Sequence, residues 1–182
     1  MPKRIENLRE KILKSSRKIL LESGYDSLNM RDQAQRCGIA VGTLYNYFPS
    51  KEMLAASVIL EDWQKELHTM QTGCEEAGSM RAGLEILYRG IKQFNDTYHS
   101  VWANYVPHSD QRCDYTQRHQ KLVQQLASCI TPVLKRFQPD VLPGTDIFLA
   151  ENVLICAGNS EMTFDIFLPI AEKLFTECLT AE

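Results

Sequence analysis

Apolar residues recur at helical spacing along this chain, and the whole of it reads as helix. Ile5, Leu8, Ile12, Ile19 and Leu20 share one side of a first helix over 5–22, with Lys and Arg on the opposite face. Gly24 follows its last turn, where a left-handed cap calls for a residue without a Cβ. Asn29 is placed to cap a second, short helix that Cys37-Gly38 closes, and Asp32 sits near the same positive helix end. Ala40 and Val41 open a third short helix through about Tyr47, and Pro49-Ser50 ends it. Ser50 can cap a fourth, long helix that begins at Lys51 and runs into the 70s, with Leu54, Val58 and Trp63 among its apolar positions. Two short helices joined by a tight glycine turn make a helix-turn-helix unit, whose second helix enters the major groove in DNA-binding versions.

The pattern continues as helix. Leu84, Leu87, Tyr88, Ile91, Phe94 and Tyr98 predict a helix over 81–98, followed by a short aromatic piece, Val101 to Tyr105, that ends at Pro107. The polar run HSDQRCDYTQ reads as including a loop. Leu122, Leu126, Cys129, Ile130, Val133 and Phe137 then predict a helix over 116–137, in which Pro132 marks a kink or a boundary. Pro139 and Pro143-Gly144 mark the next break. In the last two segments Ile147, Phe148, Leu154 and Ile155, then Met162, Phe164, Ile166, Phe167 and Ile170, cover more than one face. A surface helix of a monomer needs only one apolar stripe, so a second buried surface is predicted over about 145–180. A symmetric homodimer supplies one; a central core helix inside a monomer is the alternative.

Composition sharpens this picture at one point. The net charge of -3 over 182 residues conceals a split: residues 1–51 hold ten Lys/Arg against five Asp/Glu, and 52–182 hold ten against eighteen. A basic head on an acidic body points the head at a polyanion. No apolar run reaches the roughly 18 to 20 residues needed to cross a bilayer, and the N-terminus lacks a signal-peptide core. A cytoplasmic location and no membrane partner are expected. The six cysteines are spread without a C-x-x-C pair, which favours core packing over metal or disulfide roles. His108, Asp110, Cys113 and His119 fit no standard ligand spacing, so neither a metal site nor a cofactor is expected. With no nucleophile motif and no phosphate-cradling glycine loop, the chain does not read as an enzyme.

The stretch MRDQAQRCGIAVGTLYNYFPSKEML carries a resemblance. A short helix, a glycine turn and an aromatic-rich helix precede a Phe-x-x-Lys entry into a long helix. This resembles the N-terminal DNA-binding domain of the TetR family of bacterial transcriptional regulators, over roughly residues 5–60. The resemblance implies an all-α homodimer, with a three-helix helix-turn-helix domain at 1–50 and a helical effector-binding and dimerisation domain at 51–182. Helix 4, from residue 51, links the two. It further implies a repressor on a palindromic double-stranded DNA operator, released by a small-molecule effector. Leu44 and Phe48 are expected to pack inward and hold the recognition helix. Tyr45 and Tyr47 can each rest on the sugar-phosphate backbone, while Thr43 and Asn46 can reach base edges. Lys51 adds its charge to a helix N-terminus, a natural phosphate site. Arg31, near the start of helix 2, is a further phosphate candidate, and Lys3 and Arg4 are placed for an arm. The chain departs from the family in having Ala40 where a small capping residue such as serine is usual.

For an effector, Trp63, Tyr88, Phe94, Tyr98, Trp102 and Tyr105 are candidates to line a pocket among helices 4 to 8. Such a lining suits a small apolar or aromatic molecule. Two other readings stay open. One is a DNA-binding regulator without a small-molecule switch, and the other is a helical protein-interaction adaptor.

Overall fold

The computed structural model describes residues 7–104, 112–159 and 161–177. Among the described residues there are eight helices and no strand: α1 Leu8–Ser23, α2 Met30–Cys37, α3 Val41–Tyr47, α4 Lys51–Glu76, α5 Met80–Asn104, α6 Arg112–Phe137, α7 Thr145–Gly158 and α8 Phe164–Glu177. The chain forms two compact units, one of Met1–Gln64 with Thr97–Pro107 and one of Lys65–Asp96 with His108–Glu182. Helices α4 and α5 therefore each contribute residues to both.

In the first unit, local chemistry fixes the helix ends. The Asn29 side chain accepts hydrogen bonds from the backbone N–H groups of Arg31 and Asp32, at 2.8 and 3.3 Å. Gly38 ends α2 in the left-handed region, φ 68°, a conformation that any residue with a Cβ enters at a cost. The Lys11 ammonium donates to the Cys37 carbonyl at 2.9 Å, placing a positive charge at the negative end of α2. Ser50 caps α4 by accepting from Met53 N–H at 3.2 Å. Ala40, ahead of α3, makes no side-chain cap. Packing does the rest, with Ile12, Leu13, Leu20, Leu44, Leu54 and Val58 fully buried.

In the second unit, glycines bring helices together. A Cβ at Gly83 of α5 would sit 2.8 Å from Val133 of α6, and one at Gly73 of α4 would sit 3.1 Å from Ile86 of α5. A Cβ at Gly90 would meet Met70 at 2.6 Å. These contacts predict opposite outcomes for two similar substitutions. Mid-helix Gly→Ala gains about 1 kcal/mol of helix propensity, while overpacking a core costs about 1–3 kcal/mol. Val133 is buried and stiff at χ1, so Gly83→Ala is expected to lose about 1–2 kcal/mol of stability net. Met70 is flexible and can give way, so Gly90→Ala should be close to neutral. Urea unfolding of both variants checks the contrast.

The structure moves two helix bounds from where the sequence puts them. Helix α5 is continuous from Met80 to Asn104, joining the segment at 81–98 to the start of the aromatic piece. Tyr98 and Val101, both fully buried and one turn apart, carry the apolar stripe across the junction. Helix α6 starts at Arg112, four residues ahead of the start expected at 116 and inside the polar run expected to include a loop. It also runs on through Pro132, so of the two outcomes expected there the boundary does not occur. Proline removes one backbone donor, at about 3 kcal/mol, but Ile130, Val133 and Leu134 are buried around it and each contributes about 1.5–3 kcal/mol.

Cys37, Cys74, Cys129 and Cys156 are free and buried. Burial pushes the Cys74 thiol up to about 12 and the Cys129 thiol to about 11, which makes them packing groups rather than nucleophiles. No helix among the described residues is long and apolar enough to cross a membrane.

Candidate nucleic-acid interface

Helix α3 is seven residues long and has two unlike faces. Leu44 and, just past its end, Phe48 point into the core and are buried. The guanidinium of Arg9 on α1 lies 5.7 Å from the centre of the Phe48 ring, so the inward anchor is covered by a cation. On the other face Tyr45 and Tyr47 are each 46% exposed. Asn46 is exposed beside them, Thr43 is half-buried, and Gly42 has no atom near the position of a Cβ. Two phenols about half exposed on a helix otherwise fastened to the core leave ring faces and hydroxyls open to a partner. They are well suited to a sugar-phosphate surface.

Lys51 stands at the start of α4, with its ammonium 4.2 Å from the centre of the Tyr25 ring and 3.3 Å from the Asp26 carbonyl. The side chain is thereby held at the helix N-terminus, where the partial positive charge of α4 adds to its own. Glu52 lies beside it. The Ser50 hydroxyl and Glu52's own backbone N–H, with help from the Tyr25 hydroxyl, hold its carboxyl below the usual carboxylate range. Tyr25 thus serves both neighbours, its face to Lys51 and its hydroxyl to Glu52 at 3.0 Å. Nothing in the sequence singled it out. Arg31 is exposed in the first turn of α2, on the same short stretch as Asn29. Lys3 and Arg4 lie outside the described residues.

The aromatic candidates for an effector divide between the two units. Trp63 and Tyr98 belong to the first, and both are buried. The Tyr98 hydroxyl is committed to Asp62 at 2.5 Å. Tyr88 and Phe94 belong to the second and are half-buried. Tyr88 packs on Phe164 of α8 with ring centres 5.1 Å apart, and Phe167 extends the cluster at 6.3 Å. Tyr105 and the side chain of Trp102 lie outside the described residues. An open cleft of about 270 Å3 at the junction of α6 and α7 is lined by Thr131, Lys135, Leu142 and Asp146 among others, and none of the aromatic candidates lines it. Among the described residues no cluster of three His, Cys, Asp or Glu side chains could hold a metal ion.

A helix-turn-helix on an all-α frame, with its second helix exposing phenols and an amide, is an arrangement of the kind DNA-binding proteins use. Comparison with known proteins finds its likeness in the same segment. The family model described as bacterial regulatory proteins, tetR family, matches residues 12–58. Over 59 residues the chain is 41% identical to the HTH-type transcriptional regulator UidR of Escherichia coli strain K12, covering 32% of this chain and 30% of that protein. It is 39% identical over 57 residues to the HTH-type transcriptional repressor KstR of Rhodococcus jostii, covering 31% and 27%. Over this N-terminal segment the chain is similar to the DNA-binding domain of the TetR family of bacterial regulatory proteins. Both relatives are named as transcription factors rather than enzymes, and the match spans less than a third of their length. Solved structures extend the likeness in fold. FadR from Bacillus subtilis, in complex with stearoyl-CoA, matches with a TM-score of 0.54 at 18% identity, covering 92% of this chain and 97% of that one. A TetR/AcrR-family regulator from Thermobifida fusca matches with a TM-score of 0.52 at 18% identity, covering 95% and 97%.

Proposed function

We propose that this protein is a homodimeric transcriptional repressor that binds a palindromic operator through α3 and the start of α4 and lets go when a small apolar or aromatic effector binds its C-terminal domain. The observation that carries the reading is the two-faced α3, anchored through Leu44 and Phe48 and exposing Tyr45, Asn46 and Tyr47. Tyr45, Tyr47, Lys51 and Arg31 act on phosphates and set register. Asn46 and Thr43 read base edges, Asn46 by hydrogen bonds and Thr43 through its hydroxyl or methyl group.

Dimerisation rests on α7 and α8. Leu149, Val153 and Cys156 of α7 are buried within the protomer, yet Ile147, Phe148 and Ile155 on its other side are about half exposed. On α8, Ile166 and Ile170 are also about half exposed, one turn apart, while Phe167 and Leu168 are buried. Apolar side chains in water on two neighbouring helices form the kind of patch that an isologous interface covers. For the effector, the half-buried Tyr88 and Phe94 of the second unit offer apolar rings. The fold is one that, in FadR, accompanies stearoyl-CoA.

A selection from random duplexes tests the reading. The parent protein is expected to recover one inverted repeat, and a bound duplex should elute at the mass of a protein dimer. Within that repeat, Asn46→Ala should relax preference at one base pair per half-site by about 1–3 kcal/mol, with a smaller loss on a fully degenerate duplex. An unchanged preference would remove Asn46 from base readout.

A further inference from the structure

Three helices meet at one guanidinium in the first unit. Arg17 of α1 donates through Nε to Asp62 Oδ2 at 2.8 Å and through Nη2 to Asp62 Oδ1 at 2.7 Å, a two-pronged pair with α4. The same Nη2 donates to the carboxylate of Glu61. From α5, the Tyr98 hydroxyl donates to Asp62 Oδ2 at 2.5 Å. The side chains of Arg17 and Asp62 are 22% and 20% exposed, and Tyr98 is buried. Burial by itself would lower the Arg17 guanidinium, but its bonds to Asp62 and Glu61 hold it above its ordinary value. Burial, and next the bond to Asp62, raise the Tyr98 phenol, so it stays a proton donor at any working pH.

The place of this cluster matters as much as its chemistry. Asp62 lies two residues before the point where α4 passes into the second unit, and Tyr98 one residue past the point where α5 leaves it. Arg17 lies in the middle of α1, whose buried Ile12, Leu13 and Leu20 pack in the core of the head. A planar guanidinium on a carboxylate fixes direction as well as distance, which a lysine in its place could not do.

We propose that Arg17, Asp62 and Tyr98 are positioning residues that fix the angle of the head on α4 and α5, and that they thereby set which spacing between operator half-sites the dimer accepts. The inference rests on the operator reading above. Tyr98, which the aromatic pattern assigns to the effector pocket, acts here through its hydroxyl, which ties α5 to the ion pair of α1 and α4 within the first unit. A cluster that served folding alone would alter stability and would leave spacing preference untouched.

The test uses the full chain and the selected inverted repeat, rebuilt as duplexes with half-sites moved apart or together by one and two base pairs. Affinity for each duplex and for a single half-site is read by fluorescence anisotropy, with thermal unfolding alongside. Tyr98→Phe keeps the ring and removes only the hydroxyl; Arg17→Lys keeps the charge and removes the fork. Each is expected to flatten the preference for the native spacing by about fivefold or more, with single half-site affinity and the selected sequence unchanged. The double variant should be no flatter than the more affected single variant, as for residues acting on one carboxylate. Parental spacing profiles in both variants, or an equal loss at every spacing, would overturn the proposal. If the parent itself selects no paired half-sites, the operator reading fails, and this inference falls with it.

Discussion

Ile155→Arg is expected to convert the protein to a monomer and to reduce operator binding by at least about a hundredfold. Ile155 and Phe148 lie seven residues apart, on one side of α7, and both are about half exposed in the protomer. Covering a half-exposed aliphatic side chain contributes on the order of 1–2 kcal/mol, and a two-fold axis counts each residue twice. Ile147, Phe148, Ile155, Ile166 and Ile170, each about half exposed, are the apolar surface that the proposed interface would cover. An arginine buried in such an interface loses its water without gaining a partner. The protomer should survive, because Ile155 is not part of its core. Once dimerisation is lost, the two heads bind independently and forfeit an effective concentration worth about 10²–10⁴ in affinity. Sedimentation analysis with circular dichroism checks both halves of this result. A dimeric variant with parental operator affinity would show that α7 does not form the interface.

Tyr47→Ala combined with Lys51→Ala is expected to weaken operator binding by about 30- to 1,000-fold. An exposed phosphate contact through a phenol or an ammonium contributes about 0.5–1 kcal/mol, and a dimer on a palindrome makes each of the two contacts twice, about 2–4 kcal/mol in all. The salt dependence should report Lys51 separately. Losing one cation per head should lower the slope of log affinity against log salt by about 2. Stability should change little, since Tyr47 is 46% exposed and the Lys51 ammonium holds only the Tyr25 face and one carbonyl. A double variant that binds like the parent at moderate salt would remove both residues from the contact surface.

The features of this molecule that the sequence discloses are the local ones. The turn at Gly38 and the caps at Asn29 and Ser50 are each decided within four residues, so propensity and capping rules suffice to find them. The helical order follows from periodicity, and so does the inward placement of Leu44 and Phe48. The two-faced character of α7 and α8 is legible for the same reason, because Ile147, Phe148, Ile155, Ile166 and Ile170 have no use on a solvated surface. Where α5 ends and α6 begins is less legible, since polar runs and a proline near 107 look alike in a loop and at a helix margin. The cluster of Arg17, Asp62 and Tyr98 is invisible to such rules. Its members are 45 and 36 residues apart in the chain, and each alone passes for something ordinary: a surface arginine, a surface aspartate, an aromatic on a stripe. Tyr25 escaped for a similar reason, since its two partners lie about 27 residues away at the start of α4.

The central claim is that the head reads a specific site as part of a dimer. The most direct measurement is to capture sheared genomic DNA of the source organism on the purified protein, wash at moderate salt and sequence what is retained. The account predicts one or a few sites, each an inverted repeat, lost when the capture uses the Tyr47→Ala, Lys51→Ala variant. Retained DNA without a shared repeat, or the same sites recovered by that variant, would contradict it.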